Sequence, residues 1–211
     1  MSLQYLVREP KVKKAQNPLI LLLHGYGSNA QDLFSFANEL PADAYIVAAQ
    51  APHLLMYNAY AWYAINFEAD EKKFSDIGQA RTSREIVMRL IEELQEKYPI
   101  DSQDITLMGF SQGAILSYAV AVSYPEKIKK VVAMSGYFNE EIAVDDYATQ
   151  DLSALQIFAS HGLLDEVIPI SWAVKSIEKL KEKNIHIVFK AYNVGHGVAP
   201  ENFTDILNWL K

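Results

Sequence analysis

The sequence predicts an α/β fold in which a mostly parallel, doubly wound sheet carries helices on both faces. Three observations carry this expectation. Short, largely apolar runs recur at 19–23 (LILLL), 45–49 (YIVAA), 105–108 (ITLM), 131–134 (VVAM) and 155–159 (LQIFA). Runs of this kind suit strands buried on both faces. Segments with helical spacing alternate with them, and such alternation predicts parallel strands joined by crossover helices. No repeat, low-complexity tract or linker composition breaks the pattern, so one domain over residues 1–211 is expected.

Each element has its own justification. Residues 4–8 (QYLVR) are placed as an antiparallel edge strand, and the 19–23 run lies between Asn17-Pro18 and His24-Gly25. After the 45–49 strand comes a long irregular connection, 50–76, carrying Tyr57, Tyr60, Trp62, Tyr63, Phe67 and Phe74. Loops of this length in compact domains are functional or disordered, and so many aromatics argue against disorder. A helix over 84–97 places Ile86, Leu90, Ile91 and Leu94 on one face. Further helices are expected over 114–123, 170–183 and 201–210, with a last strand ending at Tyr192. Pro99, Pro125, Pro169 and Pro200 mark helix boundaries.

Composition narrows the function classes. The formal net charge is −7, which argues against a nucleic-acid partner. Lysines cluster at 11, 13 and 14 and at 127, 129 and 130, but acidic residues offset them and a solvated surface is the reading. The chain has no cysteine, which removes disulfides, thiolate metal sites and cysteine nucleophiles together. That fits a cytoplasmic location. The N-terminal residues lack a secretory pattern, and the 19–23 run is far shorter than the roughly 20 residues a bilayer span needs. No membrane span, metal or cofactor is expected.

In a doubly wound sheet, ligands bind beyond the carboxyl ends of the strands. The polar residues found there are His24, Ser111, Ser135, Ser160, His161 with Asp165 close behind, and His196. Ser111 lies in GFSQG, between a strand and a helix, a pattern that describes a tight turn lifting the hydroxyl above the sheet edge. Gly109 and Gly113 suit such a turn because a Cβ at either position would clash. The competing reading makes Ser111 only a helix cap.

A serine hydroxyl becomes a useful nucleophile when a base takes its proton and a third group orients that base. On this topology the order is serine, acid, histidine. His196, in NVGHG, follows a late strand, whereas His186 falls inside one and His53 precedes Ser111. Asp165 lies just past the 155–159 run. Glu166 is adjacent but would point elsewhere, and Asp145, Asp146 and Asp151 sit in a polar connection with no strand end. His161 is expected to bridge loop backbone groups. The developing oxyanion needs two donors, for which the amides of Gln112 and of Tyr26 in HGYG are the candidates.

Together, HGYG at 24–27, GFSQGA at 109–114, HGLLDEVIP at 161–169 and GHG at 195–197 resemble the phospholipase/carboxylesterase family of α/β-hydrolases. Acyl-protein thioesterases and small bacterial carboxylesterases are its best-known members. The resemblance runs from about residue 17 to the last residue. It implies the α/β-hydrolase fold without a separate cap domain, with Ser111 as nucleophile, Asp165 as acid and His196 as base. It also implies that the Tyr26 and Gln112 amides form the oxyanion hole. Ala61-Trp62-Tyr63 is similar to the family's aromatic segment beside the acyl pocket, so Trp62, Tyr63 and Leu163 are the substrate-binding expectations. The protein-deacylating members carry an acidic residue where this chain has Ser28 and often a glycine where it has Ala114; the bacterial branch is the nearer match. The implied activity is hydrolysis of carboxylic esters, or thioesters, of small to medium acyl groups through an acyl-enzyme. A peptidase on the same fold and a non-catalytic, small-ligand-binding hydrolase fold are the alternatives. The partner is then a small-molecule ester or thioester, with a homodimer among the open oligomeric states.

Overall fold

The computed structural model describes residues 3–67 and 73–211. The chain opens with β1 (Tyr5–Arg8) and β2 (Asn17–Leu23), a short helix α1 (Ala30–Phe34) and β3 (Tyr45–Ala49). Two antiparallel hairpins follow, β4 (His53–Met56) with β5 (Ala59–Ala61) and β6 (Ile65–Phe67) with β7 (Lys73–Ser75). Then come α2 (Ile77–Lys97), β8 (Ile100–Phe110), α3 (Gln112–Ser123), β9 (Lys130–Met134), β10 (Gln156–Gly162), α4 (Ile170–Lys181), β11 (His186–Tyr192) and α5 (Pro200–Leu210). Seven strands form one sheet in the order β1-β3-β2-β8-β9-β10-β11. β1 is the antiparallel edge, and the other neighbours run parallel.

Alternate residues along a strand serve opposite faces, and the two cores follow that period. Leu19, Leu21 and Leu23 join Val87 of α2, Leu116 of α3 and Ile177 of α4 in one core. Ile20 and Leu22 join Leu33 of α1 and Ile206 of α5 in the other. The sheet is thus covered on both faces, which is why its strands read as apolar runs without alternation. Every residue of α3 is buried, so this helix shows no polar face.

The structure departs from the expected elements in several places; β8, for one, runs over Ile100–Phe110 where a strand over 105–108 is expected. The 50–76 connection is not irregular: its main chain pairs into the two hairpins, which satisfies polar groups that a bare loop would leave to water. Residues 68–72 of that connection, between Phe67 and Phe74, lie outside the described residues. Helix α2 begins at Ile77 rather than at 84, because the Asp76 carboxylate accepts from the Gln79 N–H at 2.9 Å and caps it. Strand β10 runs on to Gly162, so Ser160 and His161 belong to the strand rather than to the loop after it. Helix α1 has five residues, too few to leave a periodic signal. Among the described residues, the connections hold helices, hairpins and short 3-10 turns, and no separate cap domain. No helix among them is long and apolar enough to cross a membrane, and they hold no cluster of His, Asp and Glu suited to a metal ion.

Candidate active site

β2 lies between β3 and β8. The chain leaves β2 to build one side of the sheet and returns to β8 to build the other, so the crevice beyond their carboxyl ends is the switch point where ligands bind. Ser111 stands there, between β8 and α3, with φ 53° and ψ −117°. That conformation is rare for a residue with a Cβ and costs of order 1–3 kcal/mol. Packing enforces it. A Cβ on Gly113 would collide with the Leu23 carbonyl, and one on Gly109 with the Gly113 carbonyl. The Ser111 N–H also donates to Met134 O at 2.9 Å. Ser111 occupies the cap position of α3 and its carbonyl accepts from Ala114 N–H, but its hydroxyl makes no capping bond. Instead, the Oγ lies 2.9 Å from His196 Nε2.

His196 sits between β11 and α5, with Nδ1 2.7 Å from Asp165 Oδ2. A carboxylate at Nδ1 holds the proton there and leaves Nε2 to accept from the serine hydroxyl. The Asp165 side chain is wholly buried. Its Oδ1 accepts from Val167 N–H at 2.9 Å and Ile168 N–H at 2.8 Å, so the charge is held by main chain as well as by the histidine. The loop is pinned to its neighbour by Leu163 N–H on Tyr192 O and Leu164 N–H on Val194 O. His161 Nε2–H donates to Ile168 O at 2.7 Å and lies 3.3 Å from Asp165 Oδ2, bridging strand end and loop as expected.

The HGYG loop runs beside the serine. A Cβ on Gly25 would sit 3.4 Å from Ser111 Cβ, and the first residue of α3 is Gln112. Tyr26, Ser111, Gln112 and His196 line one cavity of about 200 Å³.

The phospholipase/carboxylesterase family model matches the chain over residues 5–211. The chain belongs to this family. Acyl-protein thioesterase 1 of Kluyveromyces lactis is 28% identical to it over 216 residues, covering 95% of this chain and 93% of the other. Esterase PE8 shares its fold with a TM-score of 0.84 at 25% identity, over 100% of this chain and 98% of that one. A Bacillus cereus carboxylesterase has the same TM-score at 18% identity, over 99% and 93%, a likeness of fold. The protein is therefore an esterase/thioesterase-type hydrolase on the α/β-hydrolase fold.

In this family member the cavity is mainly apolar and aromatic. Tyr63, Ile65, Ile115, Tyr137, Val167, Ile168 and Trp172 wall it, with Ser75 among them. Tyr137 and Trp172 pack edge to face with ring centroids 5.1 Å apart. Burial pushes the Tyr63 and Tyr137 phenols up, so both stay protonated and neutral at ordinary pH. No Lys, Arg, Asp or Glu is among the described residues lining this space.

Two of the three expected pocket residues lie elsewhere. Trp62 is wholly buried, with its amide N–H committed to Gln112, its indole N–H to His24 and its carbonyl to Ser83. Leu163 is 53% exposed and outside the lining; its amide is drawn into pairing with Tyr192, and Val167 and Ile168 supply the wall from the same loop. Tyr63 does line the cavity. Glu166, Asp145, Asp146 and Asp151 are exposed, His186 stands exposed at the start of β11, and His53 opens β4. Sequence reasoning missed Ile115, Tyr137 and Trp172 in the wall. Tyr137 carried a signal, two residues beyond Ser135 at a strand's carboxyl end; Trp172 and Ile115 lie inside helices and carried none.

Proposed function

We propose that this hydrolase cleaves esters or thioesters of small to medium, uncharged acyl groups through an acyl-enzyme on Ser111. The observation that carries the reading is the position of His196, within hydrogen-bond distance of both Ser111 Oγ and the buried Asp165 carboxylate. His196 takes the proton as Ser111 Oγ attacks the acyl carbonyl, and Asp165 stabilises the imidazolium. The oxyanion is met by the Tyr26 and Gln112 amides. As the intermediate collapses and its C–O or C–S bond breaks, His196 gives its proton to the departing alkoxide or thiolate, and a water activated by the same ring then releases the acid. The thioester arm of the proposal draws on the acyl-protein thioesterase relative. A lining without Lys, Arg, Asp or Glu among the described residues favours a neutral acyl chain over a peptide terminus.

The test is hydrolysis of p-nitrophenyl butyrate by Ser111→Ala. Turnover is expected to fall by roughly 10³-fold or more with the melting temperature near that of the wild type. Wild-type turnover in the variant would exclude Ser111 as nucleophile.

A further inference from the structure

Gly25 C=O and Tyr26 N–H belong to one planar trans peptide unit, so the direction of the carbonyl fixes the direction of the amide. His24 Nδ1 is 2.8 Å from that carbonyl. The ring has one usable tautomer, because Ala51 N–H donates to Nε2 at 3.1 Å and makes it an acceptor. Nδ1 therefore carries the proton and donates to Gly25 O. The ring is 1% exposed, and burial pushes its pKa down, in keeping with a neutral imidazole.

The other candidate donor is tied to the same assembly. Gln112 Nε2–H donates to Tyr63 O at 2.8 Å, and its Oε1 accepts from Trp62 N–H at 2.8 Å. The indole N–H of Trp62 donates in turn to His24 O at 2.9 Å. Ser83 Oγ donates to Trp62 O, anchoring the tryptophan to α2. Beyond the loop, Gly27 N–H donates to Tyr60 O and Tyr60 N–H to Ser28 O, both at 2.8 Å. The 53–61 hairpin is thus bridged to the HGYG turn through Tyr60.

We infer that His24 and Trp62 are positioning residues of the oxyanion hole: His24 aims the peptide unit that carries the Tyr26 amide, and Trp62 fixes its distance from Gln112. The inference rests on the reading that these two amides receive the oxyanion. Neither side chain touches substrate. Donation to Gly25 O also polarises that peptide unit and makes its N–H a stronger donor. The effect concerns charge that exists only in the transition state, so it belongs in kcat rather than in KM.

The experiment measures kcat and KM for p-nitrophenyl butyrate, affinity for a trifluoromethyl ketone and the melting temperature. It compares the wild type with His24→Leu, His24→Asn, Trp62→Phe and Ser111→Ala. Asparagine can place an N–H where Nδ1–H stood, and phenylalanine keeps the buried ring without its donor. The leucine and phenylalanine variants are expected to lose about 10-fold or more in kcat with KM within about twofold. Affinity for the ketone, which forms a tetrahedral adduct, is expected to fall by a similar factor. His24→Asn is expected to recover most of the turnover lost by the leucine variant. Should the leucine variant fail to fold, Trp62→Phe and His24→Asn carry the test. Folded variants with wild-type kcat overturn the inference, as does a fall in kcat with ketone affinity unchanged or an asparagine variant no better than leucine. An active Ser111→Ala would instead overturn the functional reading, which keeps the two failures distinct.

Discussion

The turn that carries Ser111 and the loops that carry Asp165 and His196 are held by different forces. The β8–α3 turn is fixed by main chain packed on main chain, with no room for a Cβ on Gly109 or Gly113. The loops that carry Asp165 and His196 are only partly covered: Leu163, Leu164, Glu166 and Val167 are exposed, and hydrogen bonds to Tyr192, Val194 and the Asp165 carboxylate set their shape. One component is placed by exclusion of volume and the other by polar contacts. Disturbing the first should therefore cost the fold, whereas disturbing the second should cost the chemistry.

Asp165→Asn should give the largest change, with kcat falling roughly 10³–10⁴-fold because an amide no longer holds the His196 tautomer. Circular dichroism and melting should still report a folded protein; loss of the fold would show that the Asp165 loop holds the structure as well as the site. Gly113→Ala should reverse the pattern. Its methyl group meets the Leu23 carbonyl, which cannot retreat without moving β2, so destabilisation above about 3 kcal/mol is expected in denaturant titration. A stable Gly113→Ala protein would show that the turn is looser than its packing implies.

A smaller effect tests the buried His24. Burial holds its pKa below the ordinary value near 6.5, opposed in part by the Gly25 carbonyl and by Asp32. As pH falls through about 6.5 the unfolded chain takes up a proton that the folded chain resists, so stability is lost toward acid. The wild type should therefore lose more melting temperature than His24→Asn between about pH 7.5 and pH 5. Equal losses would mean His24 is not held neutral. The smallest change is expected from Leu163→Ser, within about 0.5 kcal/mol in stability and without effect on kcat, since this side chain stands outside the cavity.

The sequence disclosed what local chemistry determines. The strand-turn-helix around GFSQG, the placing of Ser111, Asp165 and His196 beyond strand ends, and the doubly wound sheet are all written in neighbouring residues and short periods. The aromatic connection was illegible for a physical reason. Trp62 and Tyr63 are adjacent, yet one braces the HGYG loop from below and the other faces the cavity, and which does which depends on hairpin pairing with distant Ser28 and Gly27. The placing of Leu163 was illegible in the same way: an apolar residue in a loop gives no sign of whether it meets a pocket or water. His24 stood at a strand end, but its role appeared only once Ala51 was seen to fix its tautomer.

The proposed chemistry requires Ser111 to form a covalent bond to its substrate. Treatment of the whole protein with a fluorophosphonate, followed by peptide mass spectrometry, tests it directly. One adduct per chain is expected, located on Ser111 and lost in Ser111→Ala. An adduct on another residue, or none on a folded protein, would contradict it.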